Sequence, residues 1–284
     1  PHYYAQVNNI QNSGTLLGAI DVTGTNVPKP DFLSYRNDPN TVPGVPAGVT
    51  PFSTINAVGE NFEVPTTYKA NLSYTHFFGD RYSLGFNALI SHTKNNYVYQ
   101  EANLVNQPYF ITNEGREVFV PANTINDKGQ TDWKNSRISN EVGRTLLLTS
   151  DGILDQVALV LEGSAQIGKD GYLNASITFN KSQDNSSYNC CVANTSTFLP
   201  VSGDPRDLNY GYTDDHFDTK LVINGATPTW KGFTLGAKVV GQGGTRYSLK
   251  VNSNTSANGD FNLSNDIAYV YDPNDPSTPQ TIID

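Results

Sequence analysis

The feature that most limits how this chain can fold is a strict alternation of apolar and polar residues in segments of about ten residues. In 172–181, Leu173, Ala175, Ile177 and Phe179 occupy every second position, with asparagine, serine and threonine between them. Because successive side chains of a β-strand point to opposite faces, this segment predicts a strand with one apolar and one polar face. Ten residues is also roughly the length that a tilted strand needs to cross a bilayer.

The same alternation recurs in pairs of segments joined by short turns, which predicts three β-hairpins. The hairpins pair 157–167 with 172–181 across 168–171, 68–75 with 82–88 across 79–80, and 217–224 with 233–239 across 230–232. Aromatic residues flank every turn, namely Phe77, Phe78, Tyr82, Tyr172, Trp230 and Phe233. Aromatic residues at strand ends are typical of the girdle that a membrane barrel places at the lipid–water interface.

The remaining connections are long and polar, at 23–64, 100–142, 183–215 and 245–284. Tight turns at one end and long loops at the other are typical of bacterial outer-membrane barrels, whose extended loops are extracellular. The predicted fold is therefore all-β, an antiparallel transmembrane β-barrel segment. Six spanning strands are clear, with further candidates at 15–22 and 3–10, and we expect more strands outside this segment.

Composition excludes several other classes of protein. Charged residues make up 16% of the chain, below the quarter usual for soluble domains, and the net charge is −9 without a basic run, which argues against a nucleic-acid partner. No stretch of eighteen apolar residues and no sustained helical spacing occurs. The chain starts at Pro1 and contains no methionine, so we interpret it as a piece of a longer or processed precursor.

Six short motifs follow one another along the chain, at 64–72 (VPTTYKANL), 146–150 (LLLTS), 214–217 (DDHF), 241–248 (GQGGTRYS), 258–260 (NGD) and 265–270 (NDIAYV). Taken in this order, they resemble the barrel of Oar-like TonB-dependent receptors. Two departures stand out, because Thr245-Arg246 replaces the family's proline before tyrosine and Asp260-Phe261 replaces its Asp-Gly.

This resemblance implies a 22-stranded plugged barrel in the outer membrane of a Gram-negative bacterium. Residues 1–284 would form about a third of it, with the plug domain absent from this segment. The implied function is transport of an unidentified substrate, and the implied partners are outer-membrane lipid and a TonB-type energising complex that acts through the missing N-terminal region. A secreted or surface-attached β-sandwich that binds glycans and a passive outer-membrane channel remain the alternatives.

No motif in the sequence indicates catalysis, so we expect no enzyme activity, no catalytic residues and no cofactor. Asp214-Asp215-His216 places carboxylates beside an imidazole, but Asp215 and His216 would point to opposite faces of a strand, and we interpret the group as a solvated rim. The loop 252–266 offers oxygen ligands suited to calcium, although a plain turn-rich loop is the simpler interpretation and no metal site is assigned.

Two further groups of residues have open roles. Cys190 and Cys191 are adjacent and form a candidate disulfide: they could bond to each other, could each pair with a cysteine elsewhere, or could remain free, and an oxidising compartment favours the oxidised state. The substrate-binding residues are unknown. Aromatic side chains in the long loops could stack on a substrate or pack the loops together, and these are Tyr109, Phe110, Trp133, Tyr188, Tyr210 and Tyr212.

Overall fold

A computed structural model describes residues 31–38, 55–186, 193–251 and 256–272, together with 274 and 276, and this part of the chain is all-β. The ten strands are β1 (Ile55–Val58), β2 (Thr66–Phe78), β3 (Tyr82–Glu101), β4 (Phe110–Ile111), β5 (Glu117–Val118), β6 (Thr145–Ile167), β7 (Gly171–Asp184), β8 (Gly211–Tyr212), β9 (Thr219–Ala226) and β10 (Gly236–Gln242). Two short helices accompany them, α1 (Phe32–Asn37) and α2 (Ala193–Ser196). No helix in the described ranges is long and apolar enough to cross a membrane.

The strands form one large antiparallel sheet with the order β10-β9-β7-β6-β3-β2. Strand β1 adds in parallel to β6, β8 adds to β7, and β4 pairs only with β5. Within the described residues this sheet is open, with β2 and β10 at its edges, and it does not close into a barrel. The candidate strands at 3–10 and 15–22 lie outside the described residues.

The three predicted hairpins are confirmed as β2–β3, β6–β7 and β9–β10. Their turns use the backbone conformations that the sequence suggested, since Gly79 and Gly168 have φ of 62° and 64°. In the third turn Lys231 and Gly232 both have positive φ, at 48° and 84°, as a type I′ turn requires. Trp230 and Phe233 exchange two backbone hydrogen bonds of 2.9 Å across it.

Strands β3 and β6 are much longer than the alternating segments that predicted them. Their pairing shifts register between Thr93 and Asn96 and again before Val98. Gly152 lies opposite Asn96, and a Cβ at this glycine would come within 2.6 Å of the Asn96 carbonyl oxygen, so only glycine fits the irregularity. Beyond it, the loop-side halves of β3 and β6 pack against loops, and their sequences no longer alternate.

The long connections gather at the end of the sheet opposite the hairpin turns, and we call this assembly the loop cap. It contains two apolar clusters of buried residues. The first consists of Tyr99, Leu146, Leu148 and Ala193, and the second of Leu104, Phe119 and Phe261. The apolar core of the described chain is therefore in the loop cap, while the turn end of the sheet has none.

Ion pairs and hydrogen bonds of arginine side chains order the loop cap. Glu101 at the end of β3 pairs with Arg144, with 3.0 Å between Oε2 and Nε. Burial raises the pKa of the Glu101 carboxyl, and the Arg144 charge offsets part of that rise. Arg206 pairs with Asp204 at 2.6 Å and also donates to the carbonyl oxygens of Leu104 and Val105. These bonds connect the β7–β9 connection to the β3–β6 connection.

Candidate functional site: an apolar sheet face and a loop-lined cleft

The turn-side half of the sheet carries an apolar band on one face, which we call the apolar face. Strand pairing brings its side chains into continuous rows, for example Phe86, Leu161, Ile177 and Leu221 across β3, β6, β7 and β9. The other members are Ala70, Leu72, Tyr74, Phe78, Tyr82, Leu84, Ala88, Ile90, Val157, Leu159, Ala165, Ile167, Leu173, Ala175, Phe179, Ile223, Ala237 and Val239. Many of these side chains are exposed, and Leu72 reaches 65%.

The opposite face of the same strands is polar, and we call it the polar face. Its side chains bond across neighbouring strands. The hydroxyl oxygens of Thr67 and Thr93 are 2.8 Å apart, and those of Ser83 and Ser164 are 2.6 Å apart. Such cross-strand pairs give each hydroxyl group a hydrogen-bond partner other than water. The polar face is thus an ordered hydrogen-bonded surface.

Exposure on the two faces is the reverse of what a water-soluble sheet shows. Around the middle of β3, Ile90 on the apolar face is 57% exposed, whereas Ser91 and Thr93 on the polar face are 8% and 6% exposed. In β6, Leu159 and Leu161 on the apolar face are exposed, whereas Ala158 and Val160 on the opposite face are half-buried. Large apolar groups are normally the most buried, so the apolar face requires a non-aqueous environment.

Polar and aromatic groups mark the two limits of the apolar face. At the loop side, His92 Nδ1 lies 2.7 Å from Asp155 Oδ1, and the Tyr210 hydroxyl donates to Asp155 Oδ2 at 2.7 Å. The hydrogen bond with His92, followed by that from Tyr210, lowers the pKa of the Asp155 carboxyl. Desolvation and this carboxylate raise the pKa of Tyr210 to about 12. The network lies outside the apolar band.

At the turn side the limit is aromatic, and the predicted girdle residues occupy it. Phe77 is 70% exposed and Trp230 is 69% exposed. Tyr68, in the row of His92 and Asp155, is ten residues from Phe78. Ten residues span roughly 34 Å along a strand. If the strand is tilted by about 40° from the membrane normal, this length corresponds to a height of about 25 Å, which is the height of the apolar band of an outer-membrane barrel.

A cleft of about 490 Å³ opens in the loop cap between the β7–β9 connection and the segment after β10. Charges of both signs line it, including Asp184, Asp214, Arg246 and Lys250. The guanidinium of Arg246 lies 3.9 Å from the centre of the Tyr212 ring, which stacks a cation on an aromatic face. The cleft therefore offers hydrogen bonds, both charges and an aromatic surface to a small polar solute.

The interpretation of Asp214-Asp215-His216 as a solvated rim is wrong for the histidine. Asp214 and Asp215 are exposed, but His216 is 1% exposed. Its Nδ1 accepts the backbone N–H of Ser182 at 3.2 Å, so the proton of the neutral ring is on Nε2, which lies 2.9 Å from Asp218 Oδ1. His216 is a structural link between β7 and β9, and its bond lowers the pKa of the Asp218 carboxyl.

The loop aromatics lie in different surroundings, and whether any of them stacks on a substrate stays a prediction. Trp133 packs loops together, with its ring 5.0 Å from that of Phe261, whereas Tyr212 lines the cleft. Tyr210 belongs to the Asp155 network. Tyr109 is 55% exposed, and Phe110 is half-buried in β4. Tyr188, Cys190 and Cys191 lie outside the described residues, so the candidate disulfide stays a prediction.

The described part of the 252–266 loop is a buried hydrogen-bonded turn. Burial raises the pKa of the Asp260 carboxyl. Burial and the neighbouring Asp260 charge raise the pKa of Asp266 to about 6. The described residues hold no group of three or more His, Cys, Asp or Glu side chains placed to bind a metal.

Sequence reasoning missed the residues that meet only in the folded chain. His92, Asp155 and Tyr210 come from three distant segments, and the sequence singled out only Tyr210, as one of the loop aromatics, without its contact to Asp155. Arg246 and Lys250 were not singled out, because nothing near them in the sequence marks a cleft. No family model matches the chain, and no curated protein or solved structure matches it either.

Proposed function

We propose that this chain is part of a TonB-dependent outer-membrane transporter of the Oar-like type, which moves an unidentified substrate across the outer membrane. The observation that carries the proposal is the reversed exposure of the two sheet faces, with Ile90 more exposed than Ser91 and Thr93. A transmembrane barrel directs apolar side chains to lipid and polar side chains to its lumen. Lipid supplies the non-aqueous environment that the apolar face needs.

The open edges support the proposal that further strands of a barrel continue the sheet. Strand β2 has thirteen residues and pairs on one side only, as does β10. Every backbone N–H and C=O must be paired in lipid, so only a closed barrel leaves none exposed. Strands elsewhere in the parent protein would pair with β2 and β10 and complete the 22-stranded barrel that the resemblance implies.

The same arrangement weighs against a glycan-binding β-sandwich. In a sandwich a second sheet covers the apolar face of the first at about 10 Å. In the described part of the chain, the loop cap packs on the opposite half of the long strands, and the apolar face carries exposed leucines such as Leu72 and Leu84. The strands have short turns at one end and long loops at the other, and the apolar band is about 25 Å high. Both features are typical of an outer-membrane barrel.

The proposed orientation predicts which residues a reagent outside the cell can reach. In a Cys190→Ser/Cys191→Ser background of the full-length parent, we expect a membrane-impermeant maleimide to label Asp127→Cys on intact cells. Asp127 is exposed in the loop cap, whereas the equally exposed Asp80 is in the β2–β3 turn. Asp80→Cys should react only after the outer membrane is opened. Equal labelling of both variants on intact cells would contradict the proposal.

The transporter proposal and the passive-channel alternative predict different ion conductances for the protein. A plugged barrel that needs an energising partner should conduct almost no ions across a planar bilayer, because the plug fills the lumen. We therefore expect the purified full-length parent to give no steady ion current without the energising complex. Stable open channels under these conditions would favour a passive porin, while the apolar face would still be lipid-facing.

A further inference from the structure

Residues 256–266 form a buried, turn-rich loop in the loop cap, which we call the Asx loop. Ser256, Asn258 and Asp260 are at its centre, and none of them is more than 2% exposed. Asn258 Oδ1 accepts the backbone N–H of Asp260 at 3.1 Å, and Asn258 Nδ2 donates to the Gly203 carbonyl oxygen at 3.2 Å. These two bonds fix the orientation of the Asn258 amide, with its oxygen directed into the loop.

The contacts of the Ser256 hydroxyl require one proton more than this hydroxyl can supply. Ser256 Oγ lies 2.7 Å from Asn258 Oδ1 and 3.1 Å from Asp260 Oδ1. An amide oxygen has no proton to give, so the single hydroxyl proton of Ser256 lies on the shorter contact, with Asn258. The contact between Ser256 Oγ and Asp260 Oδ1 then contains a hydrogen only if the carboxyl group of Asp260 carries it. An ionised Asp260 would leave two oxygen atoms facing each other without a hydrogen between them.

The surroundings of Asp260 favour its neutral form. Burial raises the pKa of the Asp260 carboxyl, and the hydrogen bonds from Asn265 and Asn262 offset only part of that rise. Asn265 Nδ2 donates to Asp260 Oδ2 at 2.6 Å, and the Asn262 N–H donates to Oδ1 at 3.0 Å. A protonated carboxyl can keep both of these bonds and also donate one of its own. A buried carboxyl group without a cationic partner normally avoids its charge in this way.

Charged groups on the elements packed against the Asx loop do not supply such a partner. Arg144 lines the same small cavity as Asp260. However, its Nε donates to Glu101 Oε2 at 3.0 Å and its Nη2 to Thr197 Oγ1 at 3.0 Å. Further charged residues on these elements are Glu114, Arg116, Glu117, Asp132, Lys134, Arg137, Asp204, Arg206, Asp207 and Lys250. None of the ion pairs among the described residues includes Asp260.

Asp266 is the second carboxyl group of the Asx loop, and it is better placed to carry a charge. Its Oδ1 lies 3.3 Å from Arg116 Nη1, and its Oδ2 accepts the backbone N–H of Ala257 at 2.8 Å. Burial, followed by the charge of Asp260, raises the pKa of Asp266 to about 6. Two neighbouring buried carboxyl groups do not readily ionise together, and the one beside an arginine ionises first. Asp266 therefore takes the negative charge, and Asp260 keeps its proton.

The Asx loop also holds one wall of the cleft in the loop cap. The Val201 N–H donates to the Asn265 carbonyl oxygen at 2.8 Å, and the Ile267 N–H donates to the Val201 carbonyl oxygen at 3.1 Å. Asn262 Nδ2 donates to the Thr197 carbonyl oxygen at 2.5 Å. Val201 and the three residues before it line the cleft. Opening of the Asx loop would therefore release this wall.

We propose that Asp260 is protonated at neutral pH, that its hydroxyl group donates to Ser256 Oγ, and that loss of this proton loosens the Asx loop together with the cleft wall bonded to it. The folded pKa of Asp260 is above the ordinary carboxyl value of 3.8. Its protonated form therefore contributes stability that is fully present below the ordinary value and is lost as the pH rises through the folded pKa. The cleft wall is thus most firmly held in acid and is released in alkali, whatever surrounds the apolar face.

The first test measures amide hydrogen exchange in the full-length parent across one pH unit around neutrality, with each rate divided by that of an unstructured peptide at the same pH. If Asp260 is protonated in the closed loop and ionised in the open one, the opening constant rises about tenfold per pH unit. Protection at Gly259 and Val201, which donate to Ser256 Oγ and the Asn265 carbonyl oxygen, should fall by that factor. Protection that does not change with pH would overturn the proposal, and this result depends on no variant.

The second test assigns the proton to Asp260. Asparagine has the shape of a neutral aspartic acid but does not titrate, so protection at Gly259 and Val201 in Asp260→Asn should no longer depend on pH. Asp127→Asn removes an exposed carboxylate of the same loop cap and should keep the tenfold dependence of the parent. A dependence of the same size in Asp260→Asn would assign the titration to another group and overturn the proposal.

Infrared spectroscopy detects the proton directly. At neutral pH the parent should show the C=O stretching band of a protonated carboxyl group, a component of which is absent from Asp260→Asn and unchanged in Asp127→Asn. Identical carboxyl bands in the parent and Asp260→Asn would mean that Asp260 is ionised, which would also overturn the proposal.

Discussion

Lysine in place of Leu161 or Ile177 is expected to destabilise the membrane-folded protein by roughly 2–4 kcal/mol in each case. The two residues are direct cross-strand partners on the apolar face, near the middle of the band. In the proposed membrane orientation, a lysine there would place an ammonium group among acyl chains, far from either interface. Urea titration of the full-length parent folded into lipid vesicles measures the change in the free energy of unfolding.

The matched controls lie on the polar face of the same two strands. Ser164→Lys and Ser176→Lys put the same charge at a similar depth but on the side that would face the lumen of the proposed barrel, where water or plug residues would surround it. Ser176 is paired in register with Glu162, whose carboxylate can balance the new charge. Both control variants should unfold close to the parent. If they were destabilised while Leu161→Lys and Ile177→Lys were not, the faces would be assigned backwards.

Depth dependence distinguishes lipid from a protein interior as the environment of this face. Ile167 is on the same strand and face as Leu161, at the turn end of β6. In a bilayer the cost of a lysine falls to about 0–1 kcal/mol near the interface, so Ile167→Lys should be tolerated. A parent protein that stays soluble without detergent, with Leu161 sealed inside it, would exclude the membrane assignment altogether.

The part of the fold that the sequence predicts is the part governed by local pattern. Alternation in 172–181 fixes two faces whatever the strand pairs with, and the glycines at 79 and 168 allow the positive φ of their turns. The alternating segment does not predict the residue at which the strand ends. Strands β3 and β6 extend well past their alternating runs, because loop residues cover the extension and no period is imposed there.

The candidate site was less predictable, because its contacts join segments that are far apart in the chain. His216 looked like a rim residue by its neighbours Asp214 and Asp215, yet the backbone of Ser182 on another strand buries and bonds it. The burial of Asp266 likewise depends on a distant segment, because its Oδ1 lies 3.3 Å from Nη1 of Arg116.

Truncation of Leu104 to alanine is the change expected to weaken the loop cap most. Leu104 is 0% exposed and packs with Phe119 and Phe261, and removal of a buried leucine side chain typically costs 2–5 kcal/mol. Leu263 is in the same cap but 48% exposed, so Leu263→Ala should change stability by no more than about 0.5 kcal/mol.

Hydrogen exchange separates an effect on the cap from an effect on the whole protein. The amides of Val105 and Phe119, bonded to Ser136 and Asn258, should exchange at least about thirtyfold faster in Leu104→Ala, because 1.4 kcal/mol corresponds to a factor of ten. Amides in the turn-side halves of β6 and β7 should keep their protection, since their cross-strand hydrogen bonds do not depend on the cap. Equal loss of protection in both regions would mean that cap and sheet unfold together, and that the apolar clusters of the cap stabilise the spanning strands as well.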